Sequence, residues 1–227
     1  MAKAKQVKRV ADPRRDVKIF NSATQRMWSF PLSYRKVLRR IEEIQQGKRS
    51  GSDLVILDDE YSPSSRQLWE FAIIERVSGR TLINTTIEHQ NGIDHNEVKP
   101  YPFMKWLSRS KASTVYSPCR LSIDSMTVHQ VASKLKEVGI TPNTIILVYQ
   151  VSTTDLRLLR ELLESSGYFD ILPPDENCVP MLQPLRENLS KGQPAHRRIC
   201  LSLENLFPVM FPRHSLIGLN HQALVDC

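Results

Sequence analysis

Leu54-Val-Ile-Leu-Asp-Asp-Glu-Tyr61 is the stretch on which the fold turns. Four consecutive apolar residues run straight into three acids. A short, unbroken apolar run of this kind marks a strand covered on both faces, as in a sheet with parallel neighbours. Ser62-Pro-Ser-Ser then turns the chain. Gln67 to Val77 reads as a second strand, Ser78-Gly79 as a hairpin turn, and Thr81 to Glu88 as a third strand. Three strands joined by short turns predict an antiparallel meander.

Further along the chain the period changes. Val128, Val131, Leu135 and Val138 fall on one face of a helix over 125–139, closed by Gly139. Thr144 to Tyr149 is another buried strand. Thr153 to Ser166 is a helix, with Thr153 or Thr154 as cap and Leu156, Leu159, Leu162 and Leu163 as its stripe. Phe169 to Leu172 is read as a short strand before Pro173-Pro174. Val179 to Leu189 is weakly helical around Pro184, Leu201 to Phe207 is a short helix, and another helix opens at His221. The stretch 90–125 shows no clear period. Strands first, then α-β-α, then mostly helix predicts an α/β fold: a mixed sheet flanked by helices.

Upstream, charge is concentrated. Residues 1–49 hold fourteen Lys and Arg against four Asp and Glu, a net of +10, whereas the whole chain of 227 residues carries +7. Residues 33–46 form an amphipathic basic helix. Tyr34, Val37, Leu38, Ile41 and Ile44 make its apolar stripe, with Arg35, Lys36, Arg39 and Arg40 between them. Ser33 caps it and Gly47 stops it. Two roles are open to this helix: docking on the side of the domain, or touching a phosphate backbone through Arg35, Arg39 and Arg40. The chain therefore divides into a basic leader, 1–49, and a domain, 52–227.

With 41% apolar and 24% charged residues the composition is that of a globular protein. No run of eighteen apolar residues occurs, so no membrane span is expected. No apolar stretch follows Met1, which argues against a secretory signal. Cys119, Cys178, Cys200 and Cys227 are scattered without a C-x-x-C pair, which fits idle thiols in a reducing compartment. The location expected is intracellular, cytoplasmic or nuclear.

Three acidic sites stand out by position. Asp58 and Glu60 end the first strand two residues apart and so project from one face. Carboxylates placed there call for a cation to neutralise them. Asp155 lies in the first turn of a helix that follows a buried strand, where α/β sheets place their sites. His221 and Asp226 stand five apart near a helix start. Asp59 is read as a bystander facing away.

Together, Ile56-Leu-Asp-Asp-Glu-Tyr-Ser, Thr153-Thr-Asp-Leu-Arg-Leu-Leu and Asn220-His-Gln-Ala-Leu-Val-Asp-Cys resemble the DEDDh family of 3′→5′ exonucleases over residues 53–227. The histidine, Ala-Leu and aspartate of the last segment are the most specific part. Spans of 97 residues from Asp58 to Asp155 and 71 from there to Asp226 suit such a domain. The resemblance implies an RNase H-like fold and a two-metal mechanism with Mg²⁺ or Mn²⁺. It implies that Asp58, Glu60, Asp155 and Asp226 are metal ligands and that His221 accepts the proton of the attacking water. The partner implied is the 3′ end of RNA or single-stranded DNA, with Tyr61 near the terminal bases and Trp69 as a second aromatic better suited to the core. The pattern departs from the family in Tyr61-Ser62 after the first Glu, and in Tyr149-Gln150 where the family often has Asn. It also departs in ending one residue after Asp226, so that the domain is read as lacking the end of its last helix. The alternative reading is a catalytically inactive nuclease-fold module that binds nucleic acid or a protein.

Overall fold

In the computed structural model the chain is described over residues 32–62, 64–89, 124–190, 201–211 and 227, and its first α-helix is α1 (Arg35–Gln45). Three strands follow: β1 (Leu54–Tyr61), β2 (Leu68–Glu75) and β3 (Thr81–Ile87). Then come β4 (Asp124–Met126), α2 (Val128–Glu137), β5 (Ile145–Val148), α3 (Thr154–Glu164), β6 (Cys178–Pro180), α4 (Leu182–Ser190) and α5 (Leu203–Met210). The six strands form one sheet in the order β4-β3-β2-β1-β5-β6. β1 pairs antiparallel with β2, and β2 with β3, which is the expected meander. β1 pairs parallel with β5, β5 with β6, and β3 with β4, so only β2 runs against the rest.

β1 is central because its residues suit both faces. Val55 and Leu57 enter the larger core, where Phe71, Ile73, Ile83 and Ile146 meet Val131 and Leu135 of α2 and Leu156, Leu159 and Leu163 of α3. Leu54 points the other way, into a smaller cluster with Ile145, Val179 and the α1 residues Val37 and Ile44. Each such side chain contributes about 1.5–3 kcal/mol on burial. The register Leu54↔Ile145 and Val55↔Ile146 carries this alternation into β5. The α1 apolar stripe is therefore a docking face. Arg40 completes it from the polar side, donating through Nη1 to Asn177 Oδ1 at 2.9 Å and through Nη2 to the carbonyl of Asn143.

Local chemistry sets the boundaries. Thr127 caps α2 in a capping box with Gln130, which satisfies two helix-start donors reciprocally. α1 begins at Arg35 after a 3₁₀ turn (Leu32–Tyr34) rather than at Ser33, and stops at Gly47, whose φ of 70° suits glycine. One expected strand is absent. Residues 169–172 make no strand; Asp170 there has φ 57°, which breaks an extended path. The sixth strand is instead Cys178–Pro180, followed at Leu182 by the expected helix. Pro180 is tolerated because β6 pairs on one side only, leaving a missing N–H at the sheet edge. Within 90–125 only the start of β4 at Asp124 is described. Among the described residues no helix is long and apolar enough to cross a membrane.

Candidate functional site

β1, the neighbouring strand β5 and the first turn of α3 bring acidic side chains to one end of the sheet. β1 delivers Asp58, Asp59 and Glu60 in its last turns of pleat. β5 ends at Val148, and Tyr149-Gln150 leads from it towards α3, whose second residue is Asp155. This is the end where parallel strands direct their carboxyl termini.

The alternation of β1 sorts the three acids. Asp59 shares parity with Val55 and Leu57 and so lies on the side of α2 and α3, where it meets Asp155. Asp59 faces away from Asp58 and Glu60, as expected, but it is no bystander, since it faces Asp155. Both residues are buried, Asp59 at 5% exposure and Asp155 at 0%. Gln150 Nε2 donates to Asp155 Oδ1 at 2.6 Å. Among the described residues, neither oxygen of Asp59, nor Oδ2 of Asp155, receives a hydrogen bond. Two ionised carboxylates have only acceptors to offer each other, whereas one shared proton turns their contact into a hydrogen bond. Burial, then the Asp155 charge, push the Asp59 carboxyl well above the usual range. Burial likewise pushes Asp155 up to about 7, although its contact with Asp59, the Gln150 donor and its own backbone N–H oppose that rise. Tyr61, on the same side, has its phenol raised by burial and by both aspartates. Cys178 on β6 is a buried thiol pushed up to about 12 by burial and by Asp155, hence inert as a nucleophile.

Asp58 and Glu60 project from the opposite side of β1, the side that Leu54 turns towards α1. Both are half-buried. Glu60 stands directly opposite Glu70 of β2, and Asp58 opposite Ala72. Glu70 is 0% exposed. Sequence reasoning missed it, although a lone acid inside the apolar strand Leu68-Trp-Glu-Phe-Ala was a signal. Like charges facing across a ladder are unfavourable, so this face also calls for neutralisation. Cys227, the residue after Asp226 in the chain, lies against the same two strands, its Sγ 3.5 Å from the Ala72 carbonyl and 3.9 Å from that of Ile56. His221 and Asp226 themselves fall outside the described residues. Asp155 thus flanks the end of β1 on one side, and Asp58 and Glu60 on the other.

The remaining predicted residues divide. Arg35 is exposed, and Arg39 is exposed with only a weak pairing to Glu43 at 3.6 Å. Arg40 is drawn into the fold: its partners Asn143 and Asn177 precede β5 and β6, at the opposite end of the sheet from the acids. Trp69 is buried in β2 and belongs to the core. The basic residues of α3 are committed elsewhere. Arg157 and Arg160 bind Asp175 at 2.8 and 2.6 Å, and with Thr153 they outweigh the effect of burial and hold its carboxyl below the usual range. Arg66 pairs with Glu161 at 3.0 Å.

Fold and site together define an α/β protein whose six-stranded mixed sheet gathers acids where its parallel strands end. No protein-family model matches the chain, and neither the curated proteins nor the solved structures contain one similar to it.

Proposed function

We propose that this chain is a metal-dependent nuclease of RNase H-like architecture that removes nucleotides from the 3′ end of RNA or single-stranded DNA. The observation that carries the proposal is that Asp58, Glu60 and Asp155 all lie at the end of β1, though on its two sides, in an antiparallel meander that continues into parallel strands. The spacing and order of the DEDDh-like segments support it, as does Cys227 lying on β1 and β2 one residue beyond Asp226.

The donor set suits Mg²⁺ or Mn²⁺, because it consists of carboxylate oxygens, one of which, Oδ2 of Asp155, is buried without a hydrogen-bond donor among the described residues. Asp58, Glu60 and Asp226 would hold one ion, and Asp155 would serve a second. When bound, such ions supply a water of lowered pKa and stabilise the leaving 3′ oxygen. His221 takes the proton from the attacking water, a role suited to an imidazole near neutral pKa. Tyr61, half-buried just after Glu60, would stand near the terminal base, which an aromatic ring can stack.

A second reading has an observation of its own. Asp155 is tied to Asp59 on the far side of β1 from Asp58 and Glu60. That arrangement favours a nuclease-fold module without turnover, which binds nucleic acid or a protein. One experiment separates the two. The chain is incubated with 3′-tailed RNA and DNA in Mg²⁺ or Mn²⁺, alongside Asp58→Ala, Glu60→Ala and Asp226→Ala. The nuclease reading expects metal-dependent shortening from the 3′ end that each substitution abolishes. Shortening that persists unchanged in the single variants refutes it, and substrate binding with no shortening in the wild type supports the second reading.

A further inference from the structure

At the end of the sheet away from the acids, where β5 and β6 begin, the chain forms a pocket of about 220 Å³. Leu163 of α3, Ile171, Leu172 and Pro173 are its buried walls, and Pro142 and Pro174 its exposed edges. Its shape is held from outside. Arg160 Nη2 donates to the Pro173 carbonyl at 2.6 Å, and Asn177 Nδ2 to the Pro142 carbonyl at 2.9 Å. Arg40 of α1 in turn holds Asn177 at 2.9 Å. Tyr168, a half-buried lining residue, shares a hydrogen bond between its hydroxyl and His129 Nδ1. Proline fixes φ at two positions of the loop 170–174, and Asp170 turns it through the left-handed region at φ 57°. A pocket preformed in this way binds with little cost of ordering. At this size it takes a single side chain, since sites for small-molecule ligands run to roughly 300–1,000 Å³.

The charges of the rim select that side chain. Arg160, the basic residue of the lining, is committed to Asp175 at 2.6 Å. Glu164 and Asp170, the acidic ones, are exposed and join no ion pair among the described residues. Between Tyr168 and Asp170, Phe169 keeps 64% of its surface exposed, outside both core clusters. Apolar walls under a negative rim suit a side chain with a hydrocarbon stem and a cationic head. A guanidinium also lies flat against an aromatic ring such as that of Tyr168. From this geometry we infer that the pocket docks an arginine from a basic, partly apolar segment of another protein, with Phe169 packing beside it. The site shares no residue with Asp58, Glu60 or Asp155 and is independent of the nuclease reading.

The test is fluorescence anisotropy of the full chain with a labelled synthetic peptide of alternating Leu and Arg. The peptide is expected to bind, and one of alternating Leu and Glu is not. Glu164→Gln/Asp170→Asn should weaken the Leu–Arg peptide about tenfold, and Phe169→Ser should weaken it as well. Glu88→Gln, an exposed acid at the other end of the sheet, should leave it unchanged. All these positions are exposed, and Asn tolerates the left-handed φ of Asp170, so each variant keeps its fold, which circular dichroism checks. Methyl NMR of the complex should show shifts at Leu163, Ile171 and Leu172. No binding by the wild type, equal affinity in Glu164→Gln/Asp170→Asn, an equal loss in Glu88→Gln, or unmoved methyls at those three residues overturns the inference. So does a Leu–Ser peptide that binds as tightly, which would make the pocket an apolar site without charge selection. A dimer of the chain that Phe169→Ser dissolves would seat a second copy there and overturn it too.

Discussion

Asp59 and Asp155 set the pH response of this fold one carboxyl at a time. Both have folded-state values above those of the unfolded chain, Asp155 at about 7. A carboxyl with a raised folded value binds more protons in the native state than in the unfolded one. Its stabilising contribution is therefore full below the unfolded value and is lost as pH rises through the folded value. In chelator, the wild type should lose stability between about pH 4 and pH 8. Asp59→Asn removes one charge and supplies an amide donor to Asp155, so the loss should shrink. Its melting temperature should exceed the wild type's by several degrees at the upper end of that range and by little at the lower end. Equal pH profiles for the two proteins would show that Asp59 and Asp155 do not titrate as a pair. The pairing was hidden in the sequence for a physical reason. Asp58, Asp59 and Glu60 follow an apolar run buried on both faces, so no alternation of polarity marks which parity meets α3.

Elements with a strong period were legible, and short ones defined by pairing were not. The stripe of α3, the paired strands β1 to β3 and the buried run of β5 all lie where the apolar spacing places them. β4 and β6 are three residues each, and their register with β3 and β5 is what makes them strands. Neither Asp-Ser-Met nor Cys-Val-Pro carries enough local preference to declare itself. The start of α2 is set by local chemistry that was not read in the sequence: Thr127 and Gln130 close it from within four residues. Thr127→Ala removes the cap and should cost about 1 kcal/mol, read as a lower urea midpoint with an unchanged denaturant slope. A drop no larger than that of a substitution at exposed Ser133 would show that the cap contributes nothing measurable.

On the scale of the whole molecule, charge and docking divide the work of α1. Its apolar stripe and Arg40 fix it to the sheet near the starts of β5 and β6, while Arg35 and Arg39 remain on the solvent side. Of the two roles open to this helix in sequence, docking is the one that the packing of Val37 and Ile44 establishes. Binding to a phosphate backbone is an independent question, since a docked helix still presents its outer face. The two roles predict opposite signatures. Arg40→Ala should lower stability by about 1–3 kcal/mol and leave the salt dependence of nucleic-acid binding unaltered. Arg35→Gln/Arg39→Gln should leave stability within about 0.5 kcal/mol. The double variant should also flatten the plot of log affinity against log salt by about 0.7 for each single-strand phosphate that it no longer neutralises. Fluorescence anisotropy with a labelled single strand over a salt series measures the slope. If it is the same in the double variant as in the wild type, Arg35 and Arg39 take no part in binding, and any attraction of the chain for polyanions comes from its other basic residues, of which residues 1–31 hold eight.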